Sequence, residues 1–193
     1  MKSSVKIIAL LSLFYFLFTS ICGIVKVEIL LTHVDNSILS MARLSSYVTL
    51  FISILTVIVY FIAIIGVIYF LLAILGSKPE DNVYTKAIKW FILFYFLNEL
   101  TKTVIFIYMA TKHIDFIIDS EESMLKMMEV IKWNAVSFVV DVITYCFSVL
   151  SFSYILLKKS KQIKIIDLII VSLFMIILFV ILHRNFFNFG IAK

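Results

Sequence analysis

The sequence predicts an all-α fold: a polytopic integral membrane helix bundle of five transmembrane helices, forming a single membrane domain over 1–193. Three observations carry this. Of 193 residues, 63% are hydrophobic and only 15% charged, against about 45–50% and 25% in soluble domains. A chain of this length has no interior large enough for that excess, so water is the wrong solvent for most of it. One Pro and four Gly leave little turn chemistry, so the spans are expected to be long helices. The apolar stretches also reach membrane-crossing length, about 20 residues for roughly 30 Å of hydrocarbon.

The first span is read at Ile7–Val25, uncharged and preceded by Lys2 and Lys6. It has the look of a signal peptide, but Ile21 before Cys22 does not suit lipoprotein processing, and a retained helix is expected. The second is read at 44–75, within the uncharged run Leu44–Ser77. Nothing in it stops a helix, so it is expected to be one long helix, with Asp35, Asn36 and Ser37 offering cap chemistry before it. The third span, 87–110, contains Asn98, Glu99 and Lys102. The fourth, 133–157, contains Asp141. The fifth, 165–182, has Asp167 in its first turn. Trp90 and Trp133 stand near span ends, where interfacial aromatics belong. Cys22 and Cys146 lie in apolar runs and read as free, buried thiols.

The net charge of +5 is not a nucleic-acid signature, because the basic residues cluster at span ends. Nine fall on the side of the N-terminus: Lys2, Lys6, Lys78, Lys86, Lys89, Lys158, Lys159, Lys161 and Lys164. Seven fall on the other: Lys26, Arg43, Lys112, Lys126, Lys132, Arg184 and Lys193. The short, dense 158–164 loop weighs most. It predicts a cytoplasmic N-terminus, an external C-terminus and an external 111–132 loop, in a cell inner or plasma membrane. The heavy use of Ile, Phe and Lys points to AT-rich coding and a bacterial source.

Charges at membrane depth are the sharpest feature, because an ionised group at the bilayer centre costs at least about 2.5–3.5 kcal/mol on insertion scales. Asn98, Glu99 and Lys102 share one helix face at i,i+3 and i,i+4 spacing. Counting from span ends puts Lys102 and Asp141 at one depth, so they are expected to pair if the two helices touch. Asn134, Ser137, Asp141, Thr144, Ser148 and Ser151 recur at steps of 3 and 4, one polar stripe down the fourth span. Thr49, Ser53, Thr56, Tyr60 and Ala63 make a milder stripe on the second. Stripes of this kind allow close helix approach in membranes. The seam can hold a bundle together, line a proton or cation path, or face a partner.

His33, His113 and His183 fall on the external side without zinc-ligand spacing, and no metal or other cofactor is expected. Catalytic motifs are nearly absent. Glu121-Glu122-x-x-x-Lys126 and Phe179-x-x-x-His183 are similar to motifs of the CAAX-protease family, but Lys replaces Arg and the first lies in a hydrophilic loop.

A second resemblance rests on other residues. Leu71-Leu72-Ala73-Ile74-Leu75-Gly76-Ser77-Lys78, followed by Tyr84, and the turn Lys158-Lys159-Ser160-Lys161-Gln162-Ile163-Lys164 resemble features of bacterial members of the Yip family of Rab-GTPase-interacting membrane proteins. The likeness covers roughly Leu71 to Leu182. It implies five spans, N-in and C-out, and a non-enzymatic membrane organiser. The expected function is therefore contact with a membrane-protein partner, or with further copies of the chain, within the lipid bilayer, through the polar face of Glu99, Lys102 and Asp141 with the Ser/Thr stripe: an organiser, an assembly or accessory subunit, or a toxin-immunity type. The alternative is a small transporter or channel subunit using Glu99, Lys102 and Asp141. A degenerate CAAX-protease-like enzyme is the remote third reading.

Overall fold

A computed structural model describes the backbone of residues 2–77, 79–113, 117–130, 132–160 and 163–189. It describes their side chains except those of 2–5, 57, 58, 60, 61, 113, 121, 124, 128, 130 and 180–189. Six helices follow in order: α1 Lys2–Leu31, α2 Leu39–Ile74, α3 Asp81–His113, α4 Glu121–Val130, α5 Trp133–Lys159 and α6 Ile165–Phe189. Four carry stretches long and apolar enough to cross a membrane: Lys6–Leu31, Leu39–Thr56, Asp81–Lys112 and Trp133–Lys159. The chain thus has the build of a multi-pass helical membrane protein. The count of five spans is not reached among the described residues, because the apolar part of α6 described there, Ile165–Phe179, is shorter.

Helix α3 is central and packs against α1 on one side and α5 on the other. α1 also touches α2, and α6 lies against α2 and α5. The interior is built in three levels. At the end holding the start of α3, Ile64, Ile68, Leu72, Ala87, Ile88, Phe91, Phe152, Leu156, Leu168 and Val171 form the main apolar cluster. At the opposite end, Phe106, Ala110, Ile118 and Met127 form a smaller one, with Trp133 edge-on to Phe106 at 5.0 Å. Between them lies a polar level.

Helix α2 runs unbroken for 36 residues, about 54 Å at 1.5 Å per residue. Its end is set by Gly76, whose φ of 74° lies in the left-handed region. The Gly76 N–H donates to the Ala73 carbonyl at 3.1 Å and the Ser77 N–H to the Leu72 carbonyl at 2.9 Å. That is the Schellman arrangement, which favours glycine because no Cβ opposes the positive φ. Its start differs from the expected cap. The Asp35 carboxyl accepts from the Ser37 N–H at 2.8 Å and the Ser37 hydroxyl at 2.5 Å, which holds Asp35 below the usual carboxylate range. These bonds shape the turn before the helix; the N-cap itself is Ile38, without a side-chain cap.

Three further expectations are corrected. α1 extends to Leu31, so Lys26 lies inside the helix and not beyond its end. The 111–132 segment is not only a loop: it contains α4, whose Met127 side chain is fully buried. Ile118 pairs with Val34 there, its N–H donating to the His33 carbonyl and its carbonyl accepting from the Asp35 N–H. Apolar Met and Ile side chains reaching back onto Phe106 order this segment, despite its many charges. Finally, Cys22 is buried as expected, but Cys146 is exposed on the outer face of α5.

Candidate functional site: a charge network inside the bundle

Membrane helices place side chains by their 3.6-residue period, and that period brings the predicted polar residues of α3 and α5 together. The Lys102 ammonium donates to both Asp141 carboxyl oxygens, at 3.0 and 3.2 Å. The Asn98 amide donates to the same carboxyl at 2.7 Å, and its own carbonyl accepts from the Thr144 hydroxyl at 3.1 Å. Glu99 stands 3.8 Å from the Lys102 ammonium, one turn away on the same helix. Asn98 is buried, and the four charged side chains of the level are 13–21% exposed, Lys26 being the most open. Asp141 lies eight residues into α5, about 12 Å from its start, and Lys102 about 16 Å from the end of α3. At that depth an unpaired charge would be costly, and none of these stands alone.

Lys26 is the member that sequence reasoning missed. Its ammonium donates to Glu99 at 3.3 Å, linking α1 to α3. As the basic residue just past the first apolar run, it is expected on the external surface. Its signal lay in the sequence all the same: Val27 and Ile29-Leu30-Leu31 continue the apolar run after it. The network thus spans α1, α3 and α5 and contains two ammonium and two carboxyl groups. Among the described residues each ammonium of the seam faces a carboxyl group, and the seam has no surplus charge.

The α5 stripe divides. Thr144 joins the network. Ser148 is fully buried, but its hydroxyl donates back to the Thr144 carbonyl of its own helix at 2.8 Å. Ser137 and Ser151 are half-buried, and Asn134 is exposed and outside the seam. Of the α2 stripe, Thr49, Ser53, Thr56 and Ala63 are exposed, and the Thr56 hydroxyl donates to the Ile52 carbonyl at 2.9 Å. The side chain of Tyr60 lies outside the described residues.

A second polar contact joins distant segments. The Ser77 hydroxyl, after the Gly76 turn, donates to the carboxyl of Asp167 in the first turn of α6, and both side chains are buried. The Lys164 N–H donates to the Ser77 oxygen at 3.3 Å. Nearby, the Tyr84 hydroxyl donates to the Ile65 carbonyl at 2.7 Å, tying α3 to α2. The turn quoted for the Yip resemblance is therefore where α2, α3 and α6 are fastened.

Among the described residues, no group of three His, Cys, Asp or Glu side chains is placed to hold a metal ion. The side chains of His113, His183 and Glu121 lie outside the described residues; Glu122 and Lys126 are exposed on α4. No known protein family, curated protein or solved structure matches the chain.

Proposed function

We propose that this chain is a five-span membrane protein, N-terminus in and C-terminus out, that works by contact with another membrane protein and not by chemistry of its own. The fifth span in this reading is α6, whose backbone helix is 25 residues long, about 37 Å. The observation that carries the reading is the division of polar groups between inside and outside. The charges at membrane depth satisfy one another within the chain. The hydroxyl-bearing stripe of α2 faces away from it: from Leu39 to Thr56 one side chain, Ile54, is buried. Small and hydroxylated residues favour helix–helix contact in membranes, so Thr49, Ser53 and Thr56 form the contact face. The likeness to Yip proteins agrees with a non-enzymatic organiser of this kind.

Two measurements test it. The chain extracted in mild detergent is expected to co-purify with a membrane-protein partner, or with further copies of itself, in fixed stoichiometry. Thr49→Leu with Ser53→Leu is expected to lower that recovery about tenfold, the loss of a contact worth about 1.4 kcal/mol. A chain that purifies alone, yet carries protons or cations across vesicles in a manner dependent on Glu99 and Asp141, would establish the transport reading instead.

For the orientation, single cysteines are placed in the 111–132 and 158–164 segments on a background lacking Cys22 and Cys146. In intact cells an impermeant thiol reagent is expected to label only the first. The reverse pattern would invert the topology.

A further inference from the structure

At the end of the bundle opposite α4, the start of α3 and the end of α5 bring two ammonium groups together. Lys159 lies two turns beyond Phe152 on the side of α5 that packs on α3, and the register that joins Phe91 to Phe152 brings it to the level of the first turns of α3, where Lys86 stands; both lysines are exposed. Among the described residues neither forms an ion pair with a carboxylate. Two like charges held this close across two helices repel, and one shared anion between them removes the repulsion. Lys158, beside Lys159, is held differently: its ammonium donates to the Tyr154 hydroxyl at 3.1 Å.

The surface below the pair is apolar and aromatic. Lys86, Trp90 and Phe94 follow at i,i+4 on one face of α3. On α5, Phe147 stacks on Phe94 with ring centroids 6.3 Å apart. The antiparallel register that joins Phe94 to Phe147 and Phe91 to Phe152 sets Tyr154 at the level of Trp90. Trp90 is 45% exposed, Tyr154 60% and Phe147 56%. Trp and Tyr favour the headgroup level of a bilayer. The order from the end inward is thus cation pair, interfacial aromatics, apolar rings. A phospholipid has the matching order of phosphate, glycerol level and acyl chain.

We propose that the α3–α5 face binds one anionic phospholipid, its phosphate bridging Lys86 and Lys159 and an acyl chain lying along Trp90, Phe94 and Phe147. Charge complementarity selects an anionic headgroup, and the apolar floor selects a lipid over a free anion. The site is separate from the α2 stripe and does not depend on the partner-contact reading.

Trp90 provides a local probe. The two tryptophans are Trp90 and Trp133, so Trp133→Phe leaves Trp90 as the single indole. The full chain with that change is reconstituted in phosphatidylcholine vesicles containing a minor fraction of brominated lipid. Brominated phosphatidylglycerol is expected to quench Trp90 at about tenfold lower membrane fraction than brominated phosphatidylcholine, of the order expected for lysines at a charged lipid surface. Lys86→Gln with Lys159→Gln is expected to abolish the preference, and Lys159→Gln alone to reduce it. Lys86→Arg with Lys159→Arg, and the distant pair Lys126→Gln with Lys132→Gln, are expected to keep it. Equal quenching by the two lipids in the parent chain overturns the proposal, as does a preference that survives in the Gln pair or is lost in the Arg pair. Displacement by millimolar inorganic phosphate, leaving both lipids equal, would show a free-anion site and overturn the lipid assignment.

Discussion

Asp141→Ala and Lys102→Ala are each expected to destabilise the protein by about 3–5 kcal/mol, the range for breaking a buried ion pair, and the double replacement by less than their sum. The reason is charge balance. With all four groups present, two ammonium groups face two carboxyl groups. Removing Asp141 leaves a surplus positive charge and takes from Lys102 its two bonds at 3.0 and 3.2 Å and from Asn98 its bond at 2.7 Å. Lys102 then retains only Glu99, at 3.8 Å. Removing Lys102 instead leaves Lys26 alone against two carboxyl groups. Removing both restores neutrality, with the Lys26–Glu99 pair at 3.3 Å intact. Unfolding in mild detergent, followed for all four chains, measures this coupling. Additive effects would mean that the pair is not energetically linked and that water reaches these charges.

Ser77→Ala is expected to cost about 1–3 kcal/mol, the penalty for leaving a buried polar group without its partner. It is also expected to loosen α6 before the rest of the bundle. The Ser77 hydroxyl donates to Asp167 and accepts from the Lys164 N–H, so one oxygen holds both the first turn of α6 and the residue before it. Without it, the Asp167 carboxyl, 7% exposed, loses its hydroxyl donor. Trypsin cleavage after Lys164 under native conditions is the direct readout, because it reports opening of the α5–α6 turn. Faster cleavage there, with the 111–132 segment unchanged, is expected. Uniform acceleration at both ends would assign the effect to global unfolding. An unchanged rate would show that apolar packing of Leu168 and Val171 fixes α6 by itself.

Legible in the sequence alone are the apolar surroundings, the helical class and the matched depth of Lys102 and Asp141, which predicts their pairing once α3 and α5 touch. Apolar run length sets the first two, because a helix satisfies its own backbone in lipid. The pairing was legible because depth along antiparallel helices is a count of residues, and the 3.6 period fixes which face each side chain takes. Lys26 was not legible in that way: its place depended on how far α1 continued past a charge and on α1 lying against α3. The Ser77–Asp167 link joins residues ninety positions apart in the chain, and no local pattern marks such a partner. The order in α4 likewise follows from Met127 and Ile118 reaching Phe106, because a ten-residue charged helix gains little stability without packing. Helix packing, which no sequence pattern contains, turns the α5 polar stripe inward at Thr144 and Ser148 and leaves the α2 stripe facing outward. As sequence the α2 stripe is only the milder of the two, and its outward direction follows from the position of α3 beside α5.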